Sequence, residues 1–158
     1  MTSFLFWLPG ICVALHIIEE FVWPGGFLAW HRRYRPEFAA SITSRHAIVY
    51  NAILLAVTFV LGWMGPAWPR GLSLWLILTA LLAFNGLFHA VGVLRLRQYS
   101  PGVVTGLILY VPLCVWGFWY FIQTNQASLL MAITSLILGL LYNVYSYLNH
   151  RRRAKPAT

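Results

Sequence analysis

Three ionisable side chains interrupt an apolar N-terminal run: His16, Glu19 and Glu20 in Leu15-His16-Ile17-Ile18-Glu19-Glu20. A helix stacks residues three and four apart on one face, so all three can point into one space while Ile17 and Ile18 point elsewhere. Neutral imidazole and carboxylate are ligands for zinc or iron, and two His plus one carboxylate leave coordination positions open for reaction. The same groups can instead move protons, with a buried Glu donating one and a neighbouring carboxylate or His accepting it.

Further polar residues recur at helical spacing. Asn85 and His89 are four apart in Asn85-Gly86-Leu87-Phe88-His89, as are His46 and Tyr50, with Asn51 beside them. Tyr142, Tyr145, Ser146 and Asn149 form a stripe near the C-terminus. A metal set can be drawn as His16 and Glu20 (or Glu19) from one helix, His89 as a third ligand and His46 as a fourth, with Asn85 or Tyr50 orienting them. Catalysis would rest on Glu19, Glu20, His16 and His89, and substrate contacts or support on Asn85, Tyr50, Asn51, Tyr99 and Thr105. No complete His-Glu-x-x-His signature occurs.

The composition says what must position these groups. Of 158 residues, 60% are hydrophobic and 9% charged, and the mean hydropathy is +0.72. One soluble core cannot hide that much apolar surface, so the chain belongs in a bilayer. Taking about 20 apolar residues per crossing, five spans are expected at about 3–23, 47–65, 71–94, 102–122 and 127–149. The N-terminal run lacks a basic leader and a small-residue cleavage site, so it is expected to be kept as the first span. Cys12 and Cys114 both fall inside apolar runs, which predicts packed thiols and no disulfide.

The net charge of +8 invites a nucleic-acid reading, but the cations lie between apolar runs. Arg32, Arg33, Arg35 and Arg45, then Arg95 and Arg97, then Arg151, Arg152, Arg153 and Lys155 occupy alternating connections, and only Arg70 lies opposite. They read as topology determinants, giving an all-α bundle with its N-terminus outside and its C-terminus cytoplasmic. The expected organisation is one transmembrane domain, residues 1–149, followed by a basic cytoplasmic tail, residues 150–158. The setting is a multipass protein of the cell inner or plasma membrane, with lipids as neighbours and no nucleic-acid partner. Trp7, Trp23, Trp30, Trp63, Trp68, Trp116 and Trp119 fall near span ends, as an interfacial belt would, while Trp75 lies farther in.

By this topology His16, His46, His89 and His150 share one depth, with His31 in the adjoining loop. They predict one cytoplasm-facing pocket formed by spans one, two, three and five and the start of span four. That start reads Tyr99-Ser100-Pro101-Gly102-Val103-Val104-Thr105, with Ser100 expected as the N-cap and Pro101 at the first helical position. Its free N–H groups can simply begin a helix, or can face the pocket and favour a carboxylate or an anionic head.

Together these stretches resemble the HXXEE family of small multipass membrane proteins. His16 to Glu20 fits the naming motif, Asn85 to His89 fits an Asn-x-x-x-His element, and Tyr99 to Thr105 fits a Tyr-x-Pro-Gly-x-x-Thr element. The resemblance implies that these residues act as a set and implies no reaction. Three readings follow. The first is a membrane-embedded metal-dependent hydrolase or oxidoreductase acting on an apolar or lipid-like molecule. The second is a metal-free acid/base isomerase or cyclase of a lipid or polyene, in which Trp23, Phe84, Phe88 and Trp119 could steady a carbocation. The third is a nonenzymatic carrier of an ion or small molecule, or a membrane assembly subunit. Transport is disfavoured because the other half offers only scattered hydroxyls such as Thr58 and Thr134.

Overall fold

The structure, a computed structural model, describes residues 2–154 and is helical, with no strand among the described residues. Five helical segments are long and apolar enough to cross a membrane: Ser3–Phe21, Ser44–Ala67, Gly71–Leu96, Val103–Gln123 and Leu129–Arg153. This is the all-α arrangement of five apolar helices of membrane-spanning length that hydropathy and turn residues predict.

The first crossing joins α1 (Thr2–Leu5) to α2 (Leu8–Phe21), whose second residue is Pro9, a position where a missing N–H costs nothing. A short α3 (Phe27–Tyr34) then occupies the connection for which the sequence predicts a loop. The second crossing, α4 (Ser44–Met64), opens with Thr43 accepting from the His46 N–H, and α8 (Leu129–Arg153) opens with Ser128 accepting from the Met131 N–H. Both are standard hydroxyl caps. Helix α8 runs on through Arg153; Lys155 and the rest of the basic tail lie outside the described residues.

Helix α5 (Gly71–Leu96) is the axis of the bundle and packs on α8, on the fourth crossing and on the first. Trp75 is fully buried at its start, where its indole N–H donates to Leu5 O at 2.8 Å and its ring meets Phe121 edge-on. Farther along, Gly86 and Gly106 let two backbones touch: a Cβ on Gly86 would sit 2.7 Å from Gly106 O. That contact brings the third crossing against the start of the fourth.

The fourth crossing is α6 (Val103–Thr105), a widened π turn over Gly106–Tyr110, and α7 (Val111–Gln123). The Val111 N–H reaches back five residues to Gly106 O, beside Pro112, which has no N–H to give. The sequence expectation for this start is corrected. Gly102, at φ +99°, stands at the N-cap position, and Ser100 turns inward to a histidine on α5. The Trp belt also needs one correction: Trp30 is 1% exposed and lies inside the fold, whereas the other six proposed members are exposed to differing degrees. Cys12 and Cys114 are free, buried thiols, as expected.

Large aliphatic residues such as Ile48, Leu130 and Leu141 face outward, the arrangement a lipid-facing surface requires. Inside, one end of the bundle is polar: Ser41 Oγ lies 3.0 Å from His150 Nδ1, and Arg153 reaches Ser41 O. The first connection and the end of α8 therefore meet at that end.

Candidate functional site

Helix α2 supplies His16, Glu19 and Glu20 from one face, all less than 7% exposed. Glu19 and Glu20, adjacent in sequence, diverge. The Glu19 carboxylate crosses to the start of the fourth crossing, where it accepts from Tyr99 Oη at 2.6 Å, Val104 N at 3.0 Å, Thr105 N at 2.7 Å and Thr105 Oγ1 at 2.5 Å. It closes that helix N-terminus from another helix, satisfying two of the free N–H groups and facing the positive dipole end. Burial and the bond to Glu19 push the Tyr99 phenol well above its usual range, so it stays a donor.

Glu20 turns the other way, toward two imidazoles. Its Oε1 lies 3.4 Å from His16 Nε2 and 3.2 Å from His89 Nε2, and the three ligand atoms fall within 4.8 Å of one another. Metal bonds of about 2.0–2.2 Å put the ligand atoms of a tetrahedral site about 3.3–3.6 Å apart, and the two Glu20 separations lie close to that range. The far sides of both rings are anchored by hydroxyls: His16 Nδ1 to Thr105 Oγ1 at 2.8 Å, and His89 Nδ1 to Ser100 Oγ at 2.9 Å. Ligand histidines typically bond through their second nitrogen in this way. Asn85 Nδ2 approaches His16 Nε2 at 3.3 Å, whereas His89 Nε2, fully buried and near Glu20, has no well-directed hydrogen-bond partner.

The rings are clamped on all sides. Tyr110, swung inward by the π turn, lies 4.6 Å from His16 between centroids; Trp30 stacks on His89 at 5.5 Å and 22°. Gly102 fits against both, since a Cβ there would be 2.7 Å from His16 Cε1 and 2.9 Å from His89 Cε1.

The single pocket expected from the sequence is two spaces. The first is the closed cluster made by α2, α5 and the start of the fourth crossing, with α3 laid over it. The second is a cavity of about 790 Å³ bounded by α3, α4, α5 and α8. Glu20 and Asn85 belong to both. His46 is not with the other proposed ligands: it bonds Thr43 Oγ1 at 2.7 Å and meets Arg153. Tyr50 and Asn51 line the cavity near it, as do His31 and His150. Tyr99 and Thr105 stand at Glu19. Of the aromatics considered for a carbocation, Phe84 and Phe88 line the cavity, while Trp23 and Trp119 are exposed.

Chemistry-based reading missed Trp30, Tyr110 and the inward turn of Ser100. A signal for the first was present: Phe27, Trp30, His31 and Tyr34 have the spacing of one helical face. His31 is buried without a partner for Nδ1, and burial, followed by the charges of His150 and Arg35, pushes its pKa down to about 4.

The family model described as "Protein of unknown function with HXXEE motif" matches residues 7–117. The chain belongs to the HXXEE family. The matched region contains the whole closed cluster, from His16 to Tyr110, and leaves out α8, so the α8 wall of the cavity lies beyond what the HXXEE match covers. No curated protein and no solved structure matches the chain significantly.

Proposed function

We propose that this HXXEE protein is a membrane-embedded metal-dependent enzyme, a hydrolase or an oxidoreductase, acting on an apolar or lipid-like substrate. His16, Glu20 and His89 hold the ion, zinc or iron, and the adjoining cavity holds the substrate on the cytoplasmic side. The observation that carries this reading is the convergence of two imidazole nitrogens on one carboxylate oxygen at 3.4 and 3.2 Å, inside a fully buried site. Such a trio of electron pairs repels itself unless a cation or a proton sits among it, and the spacing is that of metal ligands.

When bound, the ion supplies Lewis acidity and an activated water or an open position for redox chemistry. Thr105 accepts from His16 Nδ1 and Ser100 pairs with His89 Nδ1, which fixes both rings with Nε2 toward Glu20. Glu19 receives four hydrogen bonds and positions Thr105. Glu20 and Asn85, shared with the cavity, are where a substrate group meets the centre. Trp30 and Tyr110 keep water from the imidazoles.

The same convergence favours one second reading, a metal-free site in which Glu20 and a histidine pass a proton to and from a lipid or polyene. Elemental mass spectrometry of the detergent-purified, tag-free protein separates the two. One zinc or iron per chain, lost in His16→Ala, Glu20→Gln and His89→Ala, is the expected result. Folded protein that takes up no metal even on reconstitution overturns the metal reading and leaves proton transfer.

A further inference from the structure

Arg35 stands at the end of α3, on the cavity wall, with its guanidinium 5.2 Å from the Tyr34 and Tyr147 ring centroids and 5.8 Å from those of Phe38 and Phe88. Its side chain is 21% exposed. The nearest carboxylate of the described residues, Glu37, lies 4.0 Å away with its own side chain 54% exposed, a loose and wet pair. Its Nε has no partner among the described residues. Four rings thus hold a rigid fork of donors in place with only a loose carboxylate beside it, and such a fork matches a carboxylate or phosphate in bidentate fashion.

One helical turn earlier, His31 lines the same cavity, 5% exposed, and its Nδ1 also finds no partner. Along α4 and α5 the wall also carries the apolar side chains of Ile53, Val57, Leu78 and Leu81. The cavity of about 790 Å³ lies within the roughly 300–1,000 Å³ usual for small-molecule sites. Helix α4 packs mainly on α2 and α8 mainly on α5, so the cavity runs between two helices that do not close on each other.

We infer that the cavity binds a single-tailed amphiphile whose anionic head, a carboxylate or phosphate, is taken by Arg35 and His31 and whose tail lies along α4 and α5. This rests on the reading that the cavity serves the His/Glu centre, and names the substrate class for it: the fixed head places the chain past Glu20.

The test uses the full chain in phosphatidylcholine nanodiscs and measures uptake of radiolabelled hexadecanoate, hexadecyl phosphate and hexadecanol over protein-free discs. At least one anionic probe should bind about tenfold more tightly than the alcohol, the worth of one charge-assisted bond, and the stronger of the two names the head. Arg35→Gln should erase that preference, and Arg35→Lys, which keeps the charge and loses the fork, should retain part of it. Equal binding of all three probes to the wild type, or an undiminished preference in folded Arg35→Gln, overturns the inference. The metal content of the same wild-type preparation separates the two readings: the preference without metal means that the metal reading alone has failed, and metal without the preference is failure of this inference alone.

Discussion

His16 Nδ1 lies 2.8 Å from Thr105 Oγ1 across 89 residues of sequence, and that hydroxyl already gives its hydrogen to Glu19 at 2.5 Å. Thr105 can therefore only accept from His16. The proton of a neutral His16 is thereby placed on Nδ1, leaving the Nε2 lone pair toward Glu20 and His89. Glu19, Thr105 and His16 form a relay of orientation that ends at the nitrogen facing Glu20.

Thr105→Val keeps the shape of the residue and removes that relay. Metal affinity should fall about 10–100-fold, the usual cost of losing a partner to a ligand histidine, while Thr105→Ser restores most of it. Titration of the apo protein with zinc against a competing chelator reads this. Wild-type affinity in Thr105→Val would show that His16 needs no such support.

Gly102 makes a second, steric claim. At φ +99° a side chain is strained, and its Cβ would also press to 2.7 Å of His16. Gly26 is a control, with φ +90° and nothing within 4 Å. Gly26→Ala should cost about 1 kcal/mol from backbone strain alone, and Gly102→Ala several kcal/mol, with metal lost. Thermal unfolding in detergent compares them; equal shifts would mean that the imidazoles move aside freely.

The crossings were legible because the bilayer allows few alternatives: about 20 apolar residues between Gly and Pro breaks read as a helix whatever packs on them. His16, Glu20 and His89 were legible for a related reason, since charged groups in such runs must face inward. What the sequence hid depends on packing between helices. The topology expected from the sequence gives His46 the depth of the cluster, but it lies on α4 and meets Thr43 and Arg153 instead. Ser100 has the type and place of an N-cap, yet His89 takes its hydroxyl and Glu19 takes the helix N–H groups. Trp30 sits in a charged connection that looked like a loop, although its amphipathic face was readable.

His31 gives a pH dependence of definite sign. Its folded pKa is about 4, below the ordinary value of 6.5, so between these values the unfolded chain binds more protons. Its contribution to stability is complete above about pH 6.5 and is lost as pH falls toward 4, on the order of 3 kcal/mol in full. The unfolding temperature should drop between pH 7.5 and 5, and drop less in His31→Gln. Parallel pH curves for the two proteins would assign the dependence to other groups.

Glu19 and Glu20 can be separated by the same change made at each. Glu19→Gln places an amide among four donors that all require an acceptor, and charge-assisted bonds of about 1.5–3 kcal/mol each are weakened or broken. That variant should lose several kcal/mol of stability. Glu20→Gln removes the carboxylate that meets two imidazoles at 3.4 and 3.2 Å, so its apo form should also lose some stability, while its metal binding fails outright. Unfolding of both variants, with and without zinc, measures the contrast: zinc should stabilise the wild type, raise Glu19→Gln in part, and leave Glu20→Gln unmoved. Equal zinc stabilisation of Glu20→Gln and wild type would take Glu20 out of the ligand set.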